Sequence, residues 1–211
     1  MRPPERWNGA RATLAISAVT AAAWLLAAGL RLDKSVPYWA GFIPARFGDA
    51  PSAGLPAILT PLTATLVHGG FLHLLFNLLI LLFCGRSVEN ILGARGLVIL
   101  YLVGAFASAA AQYAVGPADT TPVIGASGAI SAVLGAYALL FGRNRVKVAN
   151  PTLALWLHAA WLAAAWVGLQ LLVGFTFQTD GVRIAIAAHV GGFLAGLLLA
   201  KPLLMLRWRG A

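Results

Sequence analysis

The chain has 211 residues, 60% of them hydrophobic and only 10% charged, whereas a soluble domain of this size carries about 25% charged residues. That much apolar surface requires lipid as its solvent, and the length suits one compact bundle, residues 1–211 forming a single membrane domain. The net charge of +9 does not indicate nucleic acid, because the basic residues stand in short pieces between apolar runs and offer no continuous face to a phosphate backbone.

Residues 1–12 form a basic N-terminal tail with Arg2, Arg6 and Arg11, followed by a first apolar stretch from Thr13 to Leu30. A cleaved signal peptide is the competing reading, with Ala27 and Ala28 at a small-residue position. The apolar run exceeds the usual 7–15 residues or so of such a peptide, which favours a retained span. The longest connection follows, over residues 31–68. It holds Pro37, Pro44, Pro51, Pro56 and Pro61, and its Trp39, Phe42 and Phe47 suit a membrane interface. Five more apolar stretches run from Gly69 to Phe83, Leu97 to Val115, Gly125 to Phe141, Thr152 to Phe175 and Arg183 to Leu204. Each is long enough, or nearly so, to cross about 30 Å of hydrocarbon. The second and fourth of the six are short, as befits spans surrounded by protein and lining a wet cavity. The expected fold class is all-α, a polytopic bundle of six transmembrane helices. Cys84 is the lone cysteine; it can form no intramolecular disulfide and reads as a small core residue.

With the N-terminus cytoplasmic, the inner segments hold 11 of the 15 Lys and Arg residues, and the outer segments hold Arg31, Lys34, Arg46 and Arg183. Asp33, Asp49, Asp119 and Asp180 fall outside, and Glu5 and Glu89 inside. This bias predicts cytoplasmic termini and an even number of spans.

Strongly polar side chains within a bilayer are costly and mark function. Here they are His68, His73, Asn77, Gln112, Ser127, Ser131, His158, Gln170 and His189. On the predicted topology His73 and Asn77 enter from the outer side, as do Ser127 and His189, so three helices place polar groups at one depth. His158 lies toward the inner side and is set apart. Single polar residues of this kind also serve as interhelical glue, at roughly 0.6 kcal/mol each, but convergence at one depth favours a site. His73 and Asn77 share a helix face at i, i+4. Ser127, Ser131 and Gly135 share another, as do His189, Gly192 and Gly196, and glycine below each polar residue allows two helices to approach closely.

A serine becomes a nucleophile when a base takes its proton. His189 is placed to do this for Ser127 and then to protonate the leaving amine. No carboxylate lies at that depth, so a dyad is expected rather than a triad. The backbone N–H of Ser127, at a helix N-terminus, is a donor for an oxyanion, and His73 and Asn77 carry further donors. Gly125-Ala126-Ser127-Gly128 has the form G-x-S-G, without the second spaced glycine of the soluble hydrolase elbow. A metal centre is disfavoured: His68 and His73 are five apart, there is no H-E-x-x-H, and no carboxylate is near.

These motifs resemble the rhomboid family of intramembrane serine proteases. His68-Gly-Gly-Phe-Leu-His73-Leu-Leu-Phe-Asn77 is similar to the family's histidine and H-x-x-x-N pattern, and Glu89-Asn-Ile-Leu-Gly93 to the turn that follows. Gly125, Ser127 and Gly128 match its G-x-S-G. His189, Gly192 and Gly196 match its A-H-x-x-G-x-x-x-G. The resemblance implies a minimal six-helix bacterial form in the plasma membrane, with the active site opening to the outer side. It implies Ser127 as nucleophile and His189 as base, no cofactor, and transmembrane protein substrates cleaved within the bilayer. It leaves the oligomeric state open. The fifth helix and first outer loop would admit substrate, with Leu157, Trp161 and Phe175 as gate candidates. Two positions depart from the family: no Trp-Arg pair lies between Arg31 and Val67, and Ser131 stands where many members carry a tyrosine under the histidine. The alternative functions are a catalytically inactive membrane-client binder, whose relatives usually lack the serine or histidine, and a transporter, disfavoured by the absence of mid-span carboxylates and of repeats.

Overall fold

The computed structural model describes residues 9–48, 54–142, 146, 148–176 and 185–208, with the backbone alone at 173–176. Most of the 1–12 tail and Arg183, the expected start of the sixth span, lie outside these residues. The main helices are α1 (Arg11–Gly29), α2 (Phe71–Ile80), α3 (Arg86–Val115), α4 (Ser127–Phe141), α5 (Pro151–Thr176) and α6 (Ile186–Arg207). Among the described residues the only β-type pairing is a single bridge between Phe42 and Val123. The architecture is an all-helical membrane bundle.

The second and third apolar stretches are joined by continuous helix as far as the turn expected at Glu89-Asn-Ile-Leu-Gly93. Helix α2 passes through a π-helical turn, Leu81–Gly85, directly into α3, and the break falls at one residue, Gly93 (φ 75°, ψ 166°). A straight helix over the 45 residues from Phe71 to Val115 would measure about 68 Å, twice the hydrocarbon thickness. The chain instead doubles back at Gly93. His73, near the start of this stretch, lies beside Gly125, and Ser108, near its end, lies beside Gly128. Gly93 sits at the opposite end of the bundle, where the Arg207 guanidinium occupies the space a Cβ would need. Each arm of this hairpin is one crossing, so with α1, α4, α5 and α6 the described residues make six.

The polar junction is buried. Glu89 is 1% exposed, and its carboxylate accepts hydrogen bonds from Ala12 N–H and Thr13 N–H, each at 2.8 Å, and from the Thr13 hydroxyl at 2.7 Å. Helix α1 has no side-chain cap of its own, so Glu89 satisfies its first-turn donors and places negative charge at its positive end.

Helices α3, α4 and α6 pack most extensively against one another, around Leu97, Leu100, Ala132, Val133, Ala136 and Ala200. The α4–α6 contact is backbone to backbone. A Cβ at Gly192 would collide with the Gly128 carbonyl, one at Gly196 with the Ala132 carbonyl, and one at Gly135 with the Phe193 carbonyl. The two small-residue faces expected from spacing therefore meet. Helix α1 is patterned in reverse to a soluble helix: it buries Thr13, Ser17 and Thr20 and exposes Leu14, Val19, Leu25 and Leu26. Only lipid makes that arrangement favourable.

Between α1 and α2 the chain forms short turns of helix, Val36–Ala40, Pro44–Phe47, Ala57–Leu59, Thr60–Thr63 and Ala64–Leu66. Pro37, Pro44 and Pro61 stand in the first turns of three of them, where the missing N–H costs nothing. This segment is tied to the chain before α4. Phe42 and Val123 exchange N–H···O bonds of 2.9 and 2.8 Å, and Gly125 N–H donates to the Ala64 carbonyl at 2.9 Å. Trp39 and Phe47 are exposed, as interfacial aromatics should be, but Phe42 is buried against Phe47.

Candidate active site

Ser127 is the first residue of α4. In the two residues before it, Gly125 adopts φ +110° and Ala126 donates its N–H to His68 Nε2 at 3.4 Å. As a first-turn residue Ser127 has no intrahelical acceptor for its own N–H. His189, in the first turn of α6, faces it, with Ser127 Oγ and His189 Nε2 2.7 Å apart. The other ring nitrogen, Nδ1, lies 2.8 Å from Gln170 Oε1 on α5. When the Gln170 carbonyl accepts from Nδ1–H, Nε2 is left bare and accepts the serine proton.

The His73 ring lies against Gly125, close to Ser127. Its Nδ1 accepts from Gly69 N–H at 3.4 Å, which places the ring proton on Nε2. A Cβ at Gly125 would lie 2.6 Å from His73 Nε2 and 3.7 Å from Ser127 Oγ, so both groups border the same small space. Asn77 is buried one turn further along α2, and its amide donates to the His73 carbonyl at 2.8 Å. One amide N–H remains for another acceptor. His68 packs against His73 with ring centroids 5.0 Å apart. Burial first, and then the neighbouring His73, lower its imidazole to about 4, so near neutral pH His68 is uncharged and can accept from Ala126. Gly128 and Gly192 both admit the Ser108 hydroxyl, which lies 2.6 and 2.7 Å from their would-be Cβ positions.

Ser131 donates to the Ser127 carbonyl at 2.8 Å, a bond within its own helix. His189 is gripped from α5 instead. Trp166 Nε1 donates to the His189 carbonyl at 3.3 Å, and the Trp166 ring stacks on Phe193 at 5.1 Å. From the sequence Gln170 stands only among the costly polar residues of the spans, with no role assigned, and nothing singles out Trp166. The signal was present: α5 starts at the end of the bundle far from Ser127, so a polar residue late in that helix reaches the depth of the serine. His158, early in the same helix, lies away from the site as its depth predicts, facing Gly142 beyond the far end of α4. Leu157 and Trp161 are exposed on the outer surface of α5; of Phe175 only the backbone is described.

Residues 57–206 match the family model for the Rhomboid domain, which covers every site residue above. The chain belongs to the rhomboid family. It is 31% identical over 139 residues to the RHOMBOID-like protein 5 of Arabidopsis thaliana, a match covering 66% of this chain and 42% of that protein. It is 35% identical over 135 residues to the rhomboid protease GlpG of Haemophilus influenzae, covering 64% of each. To GlpG of Pectobacterium atrosepticum it is 34% identical over 139 residues, covering 64% of this chain and 45% of that protein. The match thus spans about two fifths to two thirds of the length of these rhomboid relatives.

Proposed function

We propose that this rhomboid is an intramembrane serine endopeptidase that cleaves transmembrane segments of other membrane proteins through Ser127 and His189. The observation that carries the reading is the 2.7 Å approach of Ser127 Oγ to His189 Nε2, at one end of an apolar bundle. Ser127 Oγ attacks the scissile carbonyl as its proton passes to His189 Nε2, and the carbonyl oxygen takes the negative charge. The Ser127 N–H, the His73 Nε2–H and the remaining Asn77 N–H are the donors for that oxyanion, each worth about 3 kcal/mol in comparable sites. The His189 proton then goes to the leaving amine as the C–N bond breaks. Water, activated by the same nitrogen, releases the acyl group. A helical substrate must first unwind, since its backbone carbonyls are already hydrogen-bonded.

The charge asymmetry supports cytoplasmic termini, which puts Ser127 toward the outer face, and the likeness to bacterial GlpG proteases supports a bacterial plasma membrane. The test is reconstitution in liposomes with a reporter protein whose single transmembrane segment carries Ala and Gly. Wild type is expected to cleave the reporter and Ser127→Ala to fall to background. A Ser127→Ala protein as active as wild type would refute the mechanism. A folded wild type that binds the reporter but never cuts it would favour the client-binding reading.

A further inference from the structure

We infer that Gln170 is the positioning residue of the catalytic base, doing with a neutral amide what a carboxylate does in a serine triad. The inference rests on the Ser127–His189 reading and names a third member of that site. Helix α5 is largely uncovered, with Leu153, Trp156, Trp161, Leu171 and Leu172 all exposed. Among its residues with described side chains only Ala154, His158 and Gln170 are buried, Gln170 at 6% exposure. A primary amide held in an apolar bundle needs a partner, and the Gln170 carbonyl has one in His189 Nδ1 at 2.8 Å.

The register of the two helices fixes this contact. Trp166 and Gln170 lie at i, i+4 on one face of α5, and His189 and Phe193 lie at i, i+4 on the facing side of α6. Trp166 stacks on Phe193 and bonds the His189 carbonyl, which sets the sliding position of the helices. Gln170, one turn further, then meets the His189 ring. A neutral imidazole carries its proton on either nitrogen, and only the Nδ1–H form leaves Nε2 free to take the proton of Ser127. An amide oxygen at Nδ1 selects that form. An amide also suits this depth, where a carboxylate would place an extra charge in the bilayer.

The chain's four histidines make the tautomer measurable by 15N NMR of histidine-labelled protein in detergent, with His189 assigned from a His189→Asn sample. Wild type is expected to show Nδ1 protonated and Nε2 unprotonated. Gln170→Met, similar in size but without the carbonyl, should give a mixture of tautomers. It should lower kcat for the reporter about 10- to 100-fold, with KM and melting temperature unchanged. Gln170→Glu, which keeps an acceptor oxygen, should restore the single tautomer and recover the rate to within about tenfold of wild type. The proposal is overturned if wild-type His189 carries its proton on Nε2, if Gln170→Met keeps both tautomer and rate, or if its rate falls with the tautomer unchanged. Because the spectrum is read without turnover, failure of the protease reading would show separately, as activity surviving Ser127→Ala.

Discussion

Gly125 carries two demands at once: its φ of +110° is one that side chains rarely adopt, and a Cβ there would press on the His73 ring. Backbone strain of this kind costs about 1–3 kcal/mol, and the ring that would have to move carries a proposed oxyanion donor. Gly125→Ala is therefore expected to fold but to lower kcat about 100-fold, the worth of one such donor, as read by reporter cleavage beside a circular-dichroism melt. Activity within twofold of wild type would contradict it. Ser127 and His189 were legible at this scale because hydroxyl, imidazole and glycines repeat at helical spacing and the depths agree. Gln170 was not legible as an orienting group, because a neutral amide in an apolar helix looks like interhelical glue and the usual partner of a catalytic imidazole is a carboxylate. Ser131 bonds only within its own helix, and the support of His189 comes from α5, which no motif marks.

The pairing of helices α4 and α6 depends on glycines whose missing side chains leave room for a facing backbone. Gly196→Ala would drive its methyl against the Ala132 carbonyl. Alanine gains about 1 kcal/mol of helix propensity over glycine, but overpacking costs about 1–3 kcal/mol, and a rigid backbone acceptor places the cost at the upper end. Gly196→Ala is expected to lower thermal stability in detergent by about 1–2 kcal/mol net. Gly168→Ala on α5, where a Cβ meets nothing within 4 Å, should be neutral or slightly stabilising. Equal melting temperatures for the two variants would contradict this account of the packing. The helices themselves were readable from apolar run length, with ends within about three residues of those expected except at the start of α3, which begins at Arg86 and not at Leu97. The turn at Glu89–Gly93 was readable too, but not the burial of its glutamate, which the chain between two spans does not announce. Its polarity serves another element: Glu89 caps α1, a partner 76 residues away that no local pattern reveals.

For the whole molecule, the balance of burial follows from the solvent. Leucines on α1 and α5 face outward while threonine, serine and glutamine face inward, so the bundle is cohesive only where lipid covers it. The segment between α1 and α2 rests on the chain that leads into Ser127 through the Phe42–Val123 and Ala64–Gly125 bonds, coupling that segment to the proposed nucleophile. Composition alone identified the solvent, and motif order identified the rhomboid family. Neither showed the tie between these two segments, because it is made by backbone groups that carry no sequence signature. The central claim is that Ser127 is an activated nucleophile dependent on His189, and the most direct measurement is labelling of the purified protein by a fluorescent fluorophosphonate. Wild type should be labelled, and folded Ser127→Ala and His189→Ala should both remain dark. Labelling of Ser127→Ala at the wild-type level, or a folded wild type that takes up no label, would contradict the account.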